Sequence, residues 1–103
     1  MILYNVTYRV EHEAHAAWLQ FMQRDYTPIL MESGHFEDFK LSRLLGVDES
    51  EGITYALQLT CASRPTFEIY QQNLAREHQR LHDAKWGAQF VVFRSVLDVV
   101  ARG

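Results

Sequence analysis

Two histidines stand four residues apart in the stretch EHQRLHD, residues 77–83, and each has a carboxylate beside it. Residues at positions i and i+4 share one face of a helix, so His78 and His82 have a spacing at which two imidazoles can bind a metal ion. Two nitrogens are too few for such a site, and no other spacing in the chain supplies a third ligand. The HExxH pattern of zinc proteases also differs, because its glutamate lies between the histidines. We therefore predict no metal site.

Asp25 is a second ionisable residue that is predicted to face the core. It lies on the first of two predicted helices, and His78 lies on the second. On a wheel of about 100° per residue, His78 falls at the centre of the stripe of its helix and Asp25 on the stripe of the first helix. Pairing across the seam between the helices would avoid the cost of burying either group alone. The pair is then either a structural contact or a general acid/base in which the carboxylate raises the pKa of the imidazole. The structural contact is favoured, and His78 and Asp25 are the candidate catalytic residues.

Aromatic side chains are predicted to surround this pair. Alternation along two strands turns Tyr4, Tyr8 and Tyr55 toward the helices, and Trp18 faces them from the first helix. Such residues are more often core than ligand platform. If a small apolar or aromatic ligand binds between sheet and helices, the sequence predicts these four aromatic residues as its contacts, with His82 at the rim of the helical stripe.

The strands that position these residues are recognisable by alternation. Strict alternation in ILYNVTYRV and ITYALQLTC predicts strands with one apolar face, HFEDFKLSRLL predicts a weaker strand, and AQFVVFRSVLDVV predicts a long closing strand. Between them the chain has helical periodicity. The order β-α-β-β-α-β predicts a single ferredoxin-like α+β domain over residues 1–103, with a four-stranded antiparallel sheet and two helices on one face.

Two helices are predicted from the spacing of apolar residues. The first covers EHEAHAAWLQFMQRDYTPILMES and is expected to be disturbed near Pro28, because proline cannot donate a backbone hydrogen bond. Its predicted stripe comprises Ala14, Trp18, Phe21, Asp25 and Ile29. The second helix is predicted to run without interruption over TFEIYQQNLAREHQRLHDAKW. Its predicted stripe comprises Phe67, Tyr70, Leu74, His78 and Leu81.

The closing strand carries apolar side chains on both faces, so both faces are expected to be buried. Val91, Phe93 and Leu97 point to one side, whereas Val92 and Val96 point to the other. Leaving such side chains in water forfeits ~1.5–3 kcal/mol each, so we expect a second copy of the sheet to cover the face away from the helices in a homodimer. Polar residues are expected to share that face: Asn5, Thr7, Arg9, Gln58, Thr60 and Arg94.

Composition narrows the range of partners. The chain has 103 residues and a net charge of −3 without a basic run, which argues against nucleic acid as a partner. No apolar run approaches the ~20 residues of a membrane span, and the first residues lack the features of a signal peptide. We therefore expect a cytoplasmic protein with no membrane partner. Cys61 is the single cysteine, so no disulfide forms within one chain.

Several motifs together resemble a known family. They are YNVTYRV, W-x3-M-x5-P at residues 18–28, G-x-F at residues 34–36, TYALQLTC, and GAQFVVFRSVLDVV. This pattern resembles a bacterial family of about this length, domain-of-unknown-function family 4286, over nearly the whole chain. The resemblance implies a dimeric α/β-barrel type of fold and no assigned activity. One departure is Tyr26 in Y-T-P, where an H-x-P motif is expected.

Two classes of function are compatible with these features. One is a non-catalytic homodimer that binds a small apolar or aromatic ligand or acts as a structural or regulatory module. The alternative is a monooxygenase-like enzyme using His78, because dimeric ferredoxin-like barrels include cofactor-free and haem-degrading monooxygenases, and the latter bind iron through a histidine on the second helix. This analogy rests on fold alone, and Asn5, the expected partner of that histidine, alternates onto the wrong face. We predict no cofactor, with haem as the alternative.

Overall fold

The computed structural model describes all 103 residues, Met1–Gly103, and confirms the predicted order of strands and helices. Each of the two predicted helices is interrupted and consists of two α-helices. We call each of these interrupted helices an arm, and the two arms cover one face of the sheet. We call α1, a π-helical turn and α2 the first arm, and α3 with α4 the second arm. The elements are β1 (Ile2–Val10), α1 (His12–Phe21), the π-helical turn (Met22–Tyr26), α2 (Thr27–Glu32), β2 (Asp38–Arg43), β3 (Ile53–Cys61), α3 (Arg64–Asn73), α4 (Ala75–Trp86) and β4 (Phe90–Asp98).

The four strands form one antiparallel sheet in the order β2-β3-β1-β4. β1 is central: Tyr4 lies opposite Leu59 of β3 and Val96 of β4. Residues of β1 and β3 alternate between buried and half-buried positions, as the sequence pattern predicts. The buried residues face the helices and form one core. The predicted ferredoxin-like fold is therefore confirmed.

Gly52 allows β3 to begin directly beside the end of β1. Its φ angle is 151°, and a Cβ atom built there would lie 2.6 Å from the carbonyl oxygen of Val10. Only glycine adopts such a conformation readily, and no other residue has room for its side chain here. The preceding loop is held by Arg43, which donates two hydrogen bonds to the carboxylate of Glu49.

The first arm buries residues that are spaced four apart along the chain. They are Ala14, Trp18, Met22, Tyr26 and Leu30. In a regular α-helix with 3.6 residues per turn, each such step would rotate the side chain by about 40° away from the sheet. The π-helical turn is wider and absorbs an extra residue, which keeps the second half of the arm in register with the first. Thr27 supports it by donating a hydrogen bond of 2.8 Å to the carbonyl oxygen of Met22.

The predicted apolar stripe of the first helix is wrong beyond Trp18, because a regular wheel does not include the extra residue. Asp25 is exposed, whereas Tyr26 is buried. The predicted pair of Asp25 with His78 therefore does not form. A helical disturbance near Pro28 does occur, but it lies one turn earlier and changes the face that meets the core.

The second arm breaks at Leu74, whose φ and ψ angles are −126° and −27°. The predicted uninterrupted helix is therefore wrong, and a wheel counted from Phe67 does not describe α4. Leu81 is 45% exposed, whereas His82 is only 1% exposed and His78 is 8% exposed. The sequence placed His78 at the centre of the buried face and His82 at its rim, and the structure reverses the two. This reversal follows from the new helical phase that begins at Ala75.

β4 forms one edge of the sheet and alternates between its two faces. Val91, Phe93 and Leu97 lie on the open face, away from the helices, and Phe93 is 70% exposed. Arg94 pairs with Val6 in register and therefore lies on the helix side. Its predicted place on the open face is wrong, because it shares its parity with Val92 and not with Phe93. Among the helices of this fold, none combines the length and the apolar character that crossing a lipid bilayer requires.

Candidate functional site

A small cavity of about 10 Å³ lies between the sheet and the two arms. Four tyrosines converge on it: Tyr4 and Tyr8 from β1, Tyr26 from the π-helical turn, and Tyr70 from α3. A cavity of this size holds about one water-sized group. Gln79 of α4 and Arg94 of β4 add the remaining polar side chains, and the other lining residues are aliphatic: Val6, Leu30, Leu57 and Leu59.

The hydroxyl groups of this cavity stay protonated. Burial raises the pKa of Tyr4 and strongly raises the pKa of Tyr8, Tyr26 and Tyr70. In each case the positive charge of Arg94 acts in the opposite direction but is the weaker effect. Neutral tyrosines both donate and accept hydrogen bonds, so the cavity can donate to a bound oxygen at any ordinary pH.

Arg94 brings the only positive charge to the lining of the cavity. It is half-buried, and no carboxylate lies within 4.0 Å of its guanidinium group. Gln79 and Arg94 both lie beside the Tyr4 hydroxyl and lower its pKa. Asp83 is near enough to raise the pKa of Tyr8 and Tyr26, but it does not line the cavity.

A groove of about 350 Å³ lies beside the cavity along β4; Ile2, Phe67 and Val96 form its apolar part, and its other lining residues are Arg64, Glu68, Gln71 and Asp98. Val96 lines this groove and lies two residues from Arg94 on the same face of the strand. The ring of Phe67, also in the groove, packs on Tyr4 with its centroid 5.1 Å away. The cavity and the groove together therefore offer a polar end beside an apolar surface.

His82 is enclosed behind the cavity by bonds to both of its ring nitrogens. The indole nitrogen of Trp18 donates a hydrogen bond of 2.9 Å to Nε2, and Nδ1 lies 3.0 Å from a carboxylate oxygen of Asp83. Because Nε2 accepts a hydrogen bond from Trp18, Nδ1 carries the ring proton and donates a hydrogen bond to Asp83. Burial lowers the pKa of His82, and the hydrogen bond to Asp83 opposes this in part. With both nitrogens engaged, His82 has no free position for a metal or a ligand.

His78 connects the cavity with the outside of the helical layer. The Tyr70 hydroxyl lies 2.8 Å from Nδ1 of His78, and Tyr70 also lines the cavity. On its other side His78 borders an open groove of about 520 Å³ with Ile29 and Leu81. Burial lowers the pKa of His78, and the charge of Glu77 opposes this. His78 is therefore neutral near pH 7, and a neutral imidazole can accept a hydrogen bond from the Tyr70 hydroxyl.

The structure brings some predicted site residues together and separates others. Tyr4 and Tyr8 line the cavity. Trp18 and His82 pack behind Tyr8, with ring centroids 5.1 and 4.9 Å away. Tyr55 packs on Trp18 instead, and its hydroxyl lies 3.2 Å from a ring nitrogen of His15. The predicted contact of a ligand with all of these residues stays a prediction.

Several residues of the cavity were not predicted from the sequence. The four with polar side chains are Tyr26, Tyr70, Gln79 and Arg94, and the aliphatic lining residues were not predicted as part of a site either. Arg94 has a clear signal, since it alternates with Val92 and Val96 on one face of a strand. Tyr26 has a weaker one, as the last aromatic residue in a series spaced four apart. No pattern in the sequence indicates that Tyr70 and Gln79 meet at the same point.

The side chains that could bind a metal ion or a haem group do not come together in this structure. No three side chains of histidine, cysteine, aspartate or glutamate are placed to hold a metal ion together. Asn5, the residue expected to assist a haem-binding histidine, donates a hydrogen bond of 3.2 Å to Thr7. Both lie on the open face of the sheet, so the sheet separates Asn5 from His78. The arrangement implied by the haem-degrading enzymes does not form within this chain.

The fold and the cavity define a ferredoxin-like α+β protein with a tyrosine-lined interior. The sequence profile of the family Domain of unknown function (DUF4286) matches residues 1–100. The chain belongs to this family, and the resemblance inferred from its motifs is confirmed. No curated protein matches the sequence.

Solved structures with the same fold carry different functions. A dimeric ferredoxin-like protein from an uncultured marine organism has a TM-score of 0.72 at 11% identity, with 99% of this chain and 96% of the other covered. A variant of SnoaB, a cofactor-independent oxygenase from Streptomyces nogalater, has a TM-score of 0.68 at 13% identity, covering 98% and 95%. Hydroxynitrile lyase from Passiflora edulis has a TM-score of 0.61 at 16% identity, covering 98% and 97%. At these identities the fold alone is shared.

Proposed function

We propose that the protein is a homodimer that binds a small apolar or aromatic molecule between its sheet and its helices. The observation that carries this proposal is the tyrosine-lined cavity and the groove beside it along β4. The groove has about 350 Å³, which is within the range of small-molecule sites. Ile2, Phe67 and Val96 supply its apolar surface, while the cavity accepts a single polar group.

Ligand binding can be measured through the tyrosines themselves. The chain has five tyrosines, of which all but Tyr55 line the cavity. Labelling with 3-fluorotyrosine therefore gives four ¹⁹F resonances that report on the cavity and one internal reference. Titration with indole and benzyl alcohol is expected to shift the four resonances in a saturable way and to leave that of Tyr55 nearly unchanged.

A pair of matched variants localises the binding. Val96→Arg fills the groove from a side chain that is already 48% exposed, whereas Val100→Arg adds the same charge outside it at a residue that is 90% exposed. Val96→Arg is expected to abolish the shifts and Val100→Arg to preserve them. The proposal fails if neither probe shifts the cavity resonances, or if Val96→Arg binds as well as the wild-type protein.

The open face of the sheet supports the homodimer. Val91, Phe93 and Leu97 form an exposed apolar row on β4, and each would contribute ~1.5–3 kcal/mol if fully buried. Polar residues of β1 and β3, such as Thr7 and Gln58, share this face and would form hydrogen bonds with their counterparts in the second subunit across a two-fold axis. Solved structures of the same fold include proteins described as dimeric, which supports self-association.

The assembly is tested by sedimentation velocity at micromolar concentration. The wild-type chain is expected to sediment as a dimer. Phe93→Lys places a charge in the centre of the apolar row and is expected to give a folded monomer. Leu45→Lys, at a loop residue that is 81% exposed, is the matched control and is expected to stay dimeric. A monomeric wild-type protein would contradict the proposal.

A monooxygenase-like enzyme that uses His78 is the second candidate function. It is favoured by the contact of 2.8 Å between the Tyr70 hydroxyl and His78, which gives a proton of a bound ligand an acceptor connected to the open groove. A cofactor-free reaction fits this geometry better than a haem-dependent one, because Asn5 lies across the sheet. Oxygen uptake with a bound probe, lost in His78→Ala and retained in Tyr55→Phe, would support it. A hemin titration with a Soret shift that His78→Ala removes would favour the haem-dependent form.

A further inference from the structure

We infer that the ligand of the tyrosine-lined cavity carries an anionic oxygen, such as a carboxylate or a phenolate. This inference rests on the proposed function and names the chemical class of its ligand. The cavity presents donors and a positive charge at one point, and it presents no acidic side chain. Its polar groups are Tyr4, Tyr8, Tyr26, Tyr70, Gln79 and Arg94.

Arg94 is the one arginine that combines partial burial with the lack of a carboxylate partner; Arg24, Arg76, Arg80 and Arg102 are also unpaired, but all four are exposed. Arg9, Arg43 and Arg64 each have a glutamate within 4.0 Å, although their side chains are 46%, 44% and 80% exposed. Ion pairs at such exposed positions contribute little to stability. Arg94 is half-buried on the helix side of β4 and has no carboxylate partner at all. A charge withdrawn from water without a partner is costly, so a bound anion would stabilise this arrangement.

The tyrosines favour the same ligand. Because burial raises their pKa, their hydroxyl groups remain neutral; those of Tyr4, Tyr8 and Tyr26 can donate, whereas that of Tyr70 is already bonded to His78. Hydrogen bonds to a charged acceptor are about twice as strong as those between neutral groups. The cavity, at about 10 Å³, has room for one oxygen-sized group among these donors. The site therefore has the composition of an oxyanion hole, because hydroxyl, amide and guanidinium groups line one small cavity.

The nearest acidic groups do not compete with such a ligand. Asp83 lies on the far side of His82 and accepts its Nδ1 proton. In the adjoining groove, Glu68 pairs with Arg64 at 3.4 Å, and Asp98 lies at the end away from Arg94, beyond Val96. This distribution of charge orients the ligand, with its anionic oxygen toward Arg94 and its apolar body along Phe67 and Val96.

The test compares benzoate with benzamide, which has the same shape and no charge, at fixed ionic strength and pH 7. The probe is again the wild-type protein labelled with 3-fluorotyrosine. Benzoate is expected to bind about tenfold more tightly than benzamide, which corresponds to about 1.4 kcal/mol. Arg94→Gln is expected to reduce this ratio to about one, and Arg94→Lys to retain part of it.

Arg80→Gln is the matched control, since it removes the same charge from the outer face of α4 and should keep the ratio. Equal binding of benzoate and benzamide to the wild-type protein, or an unchanged ratio in Arg94→Gln, overturns the inference while the proposed function stands. If indole and benzyl alcohol bind but benzoate does not, the inference is again wrong. If none of these probes shifts the four cavity resonances, the proposed function itself fails.

Discussion

The two helical arms cover the same sheet but correct their helical phase in different ways. The first arm keeps a continuous axis and takes up one extra residue in the π-helical turn, Met22–Tyr26. The second arm stops at Leu74 and begins a new helix at Ala75. Both devices change which residues face the core after the irregularity. A helical arm can therefore keep apolar residues toward the sheet either by widening the helix locally or by ending it and starting a new one.

The arms also differ in the polar contacts that they make. Trp18 of the first arm and His82 of the second are bonded across the seam, where His82 is 1% exposed. Tyr70 and His78 are bonded within the second arm, next to an open groove. The contact between the arms is buried away from water. The contact within the second arm leads from the cavity to the surface.

A one-residue deletion in each arm gives the largest expected contrast. Deleting Gln23, an exposed residue of the π-helical turn, returns the first arm to a regular α-helix and keeps the buried residues on one face. α4 is a regular helix without an extra residue, so deleting Arg80 rotates the residues that follow it by about 100°. We expect a loss of at most about 1 kcal/mol for Gln23 and of about 3–5 kcal/mol or complete unfolding for Arg80.

Urea unfolding followed by circular dichroism measures both deletions. If the Gln23 deletion unfolds the protein as completely as the Arg80 deletion, the π-helical turn does more than correct the phase of the arm. Equal tolerance of both deletions would show that α4 can also shift its register.

Trp18 and Trp86 allow a second comparison, because both are buried at the seam between the arms. The Trp18 indole donates to His82, whereas the buried indole nitrogen of Trp86 has no hydrogen-bond partner. Trp18→Phe leaves the Nε2 acceptor of His82 unsatisfied, which costs ~1–3 kcal/mol. Trp86→Phe removes a similar volume and no hydrogen bond. We expect the free energy of unfolding to fall by about 2 kcal/mol more in Trp18→Phe; equal losses would show that packing alone decides.

The pH dependence of stability should give the smallest of the three effects. Burial lowers the pKa of His82 below its usual 6.5, so the unfolded chain binds a proton before the folded one as the pH falls. The free energy of unfolding is therefore expected to decrease below about pH 6.5. Asp83→Asn removes the carboxylate that opposes the shift, and it should make this decrease larger.

Urea midpoints at pH 7.5 and pH 5, with Asp38→Asn as the control for a lost surface carboxylate, measure this effect. If Asp83→Asn and the wild-type protein lose the same stability between these two pH values, the hydrogen bond between His82 and Asp83 does not influence protonation.

The strands, their order and the fold class could be predicted from the sequence because alternation is a local signal. Each residue of β1 or β3 shows its face through its immediate neighbours, and nothing between Ile2 and Val10 interrupts the count. The same rule places Arg94 on the helix side of β4, because it shares its parity with Val92 and Val96.

The candidate site was less predictable because it depends on the phase of two irregular helices. A single extra residue moves Asp25 out of the core and Tyr26 into it. The break at Leu74 exchanges the roles of His78 and His82. The bond from Trp18 to His82 joins residues that are 64 positions apart, and no spacing rule within one element indicates such a partner.

β4 carries the features of both proposals on consecutive residues. Phe93 points to the open face and Arg94 to the cavity, and a paired strand has no flexible joint between them. Anything that holds Phe93 in place also restricts the position of Arg94. If the chain dimerises and binds a ligand as proposed, β4 couples the two equilibria, and any effect of the ligand on dimerisation is matched by an equal effect of dimerisation on ligand affinity. A saturating ligand would strengthen or weaken the dimer, and dilution would alter the apparent affinity.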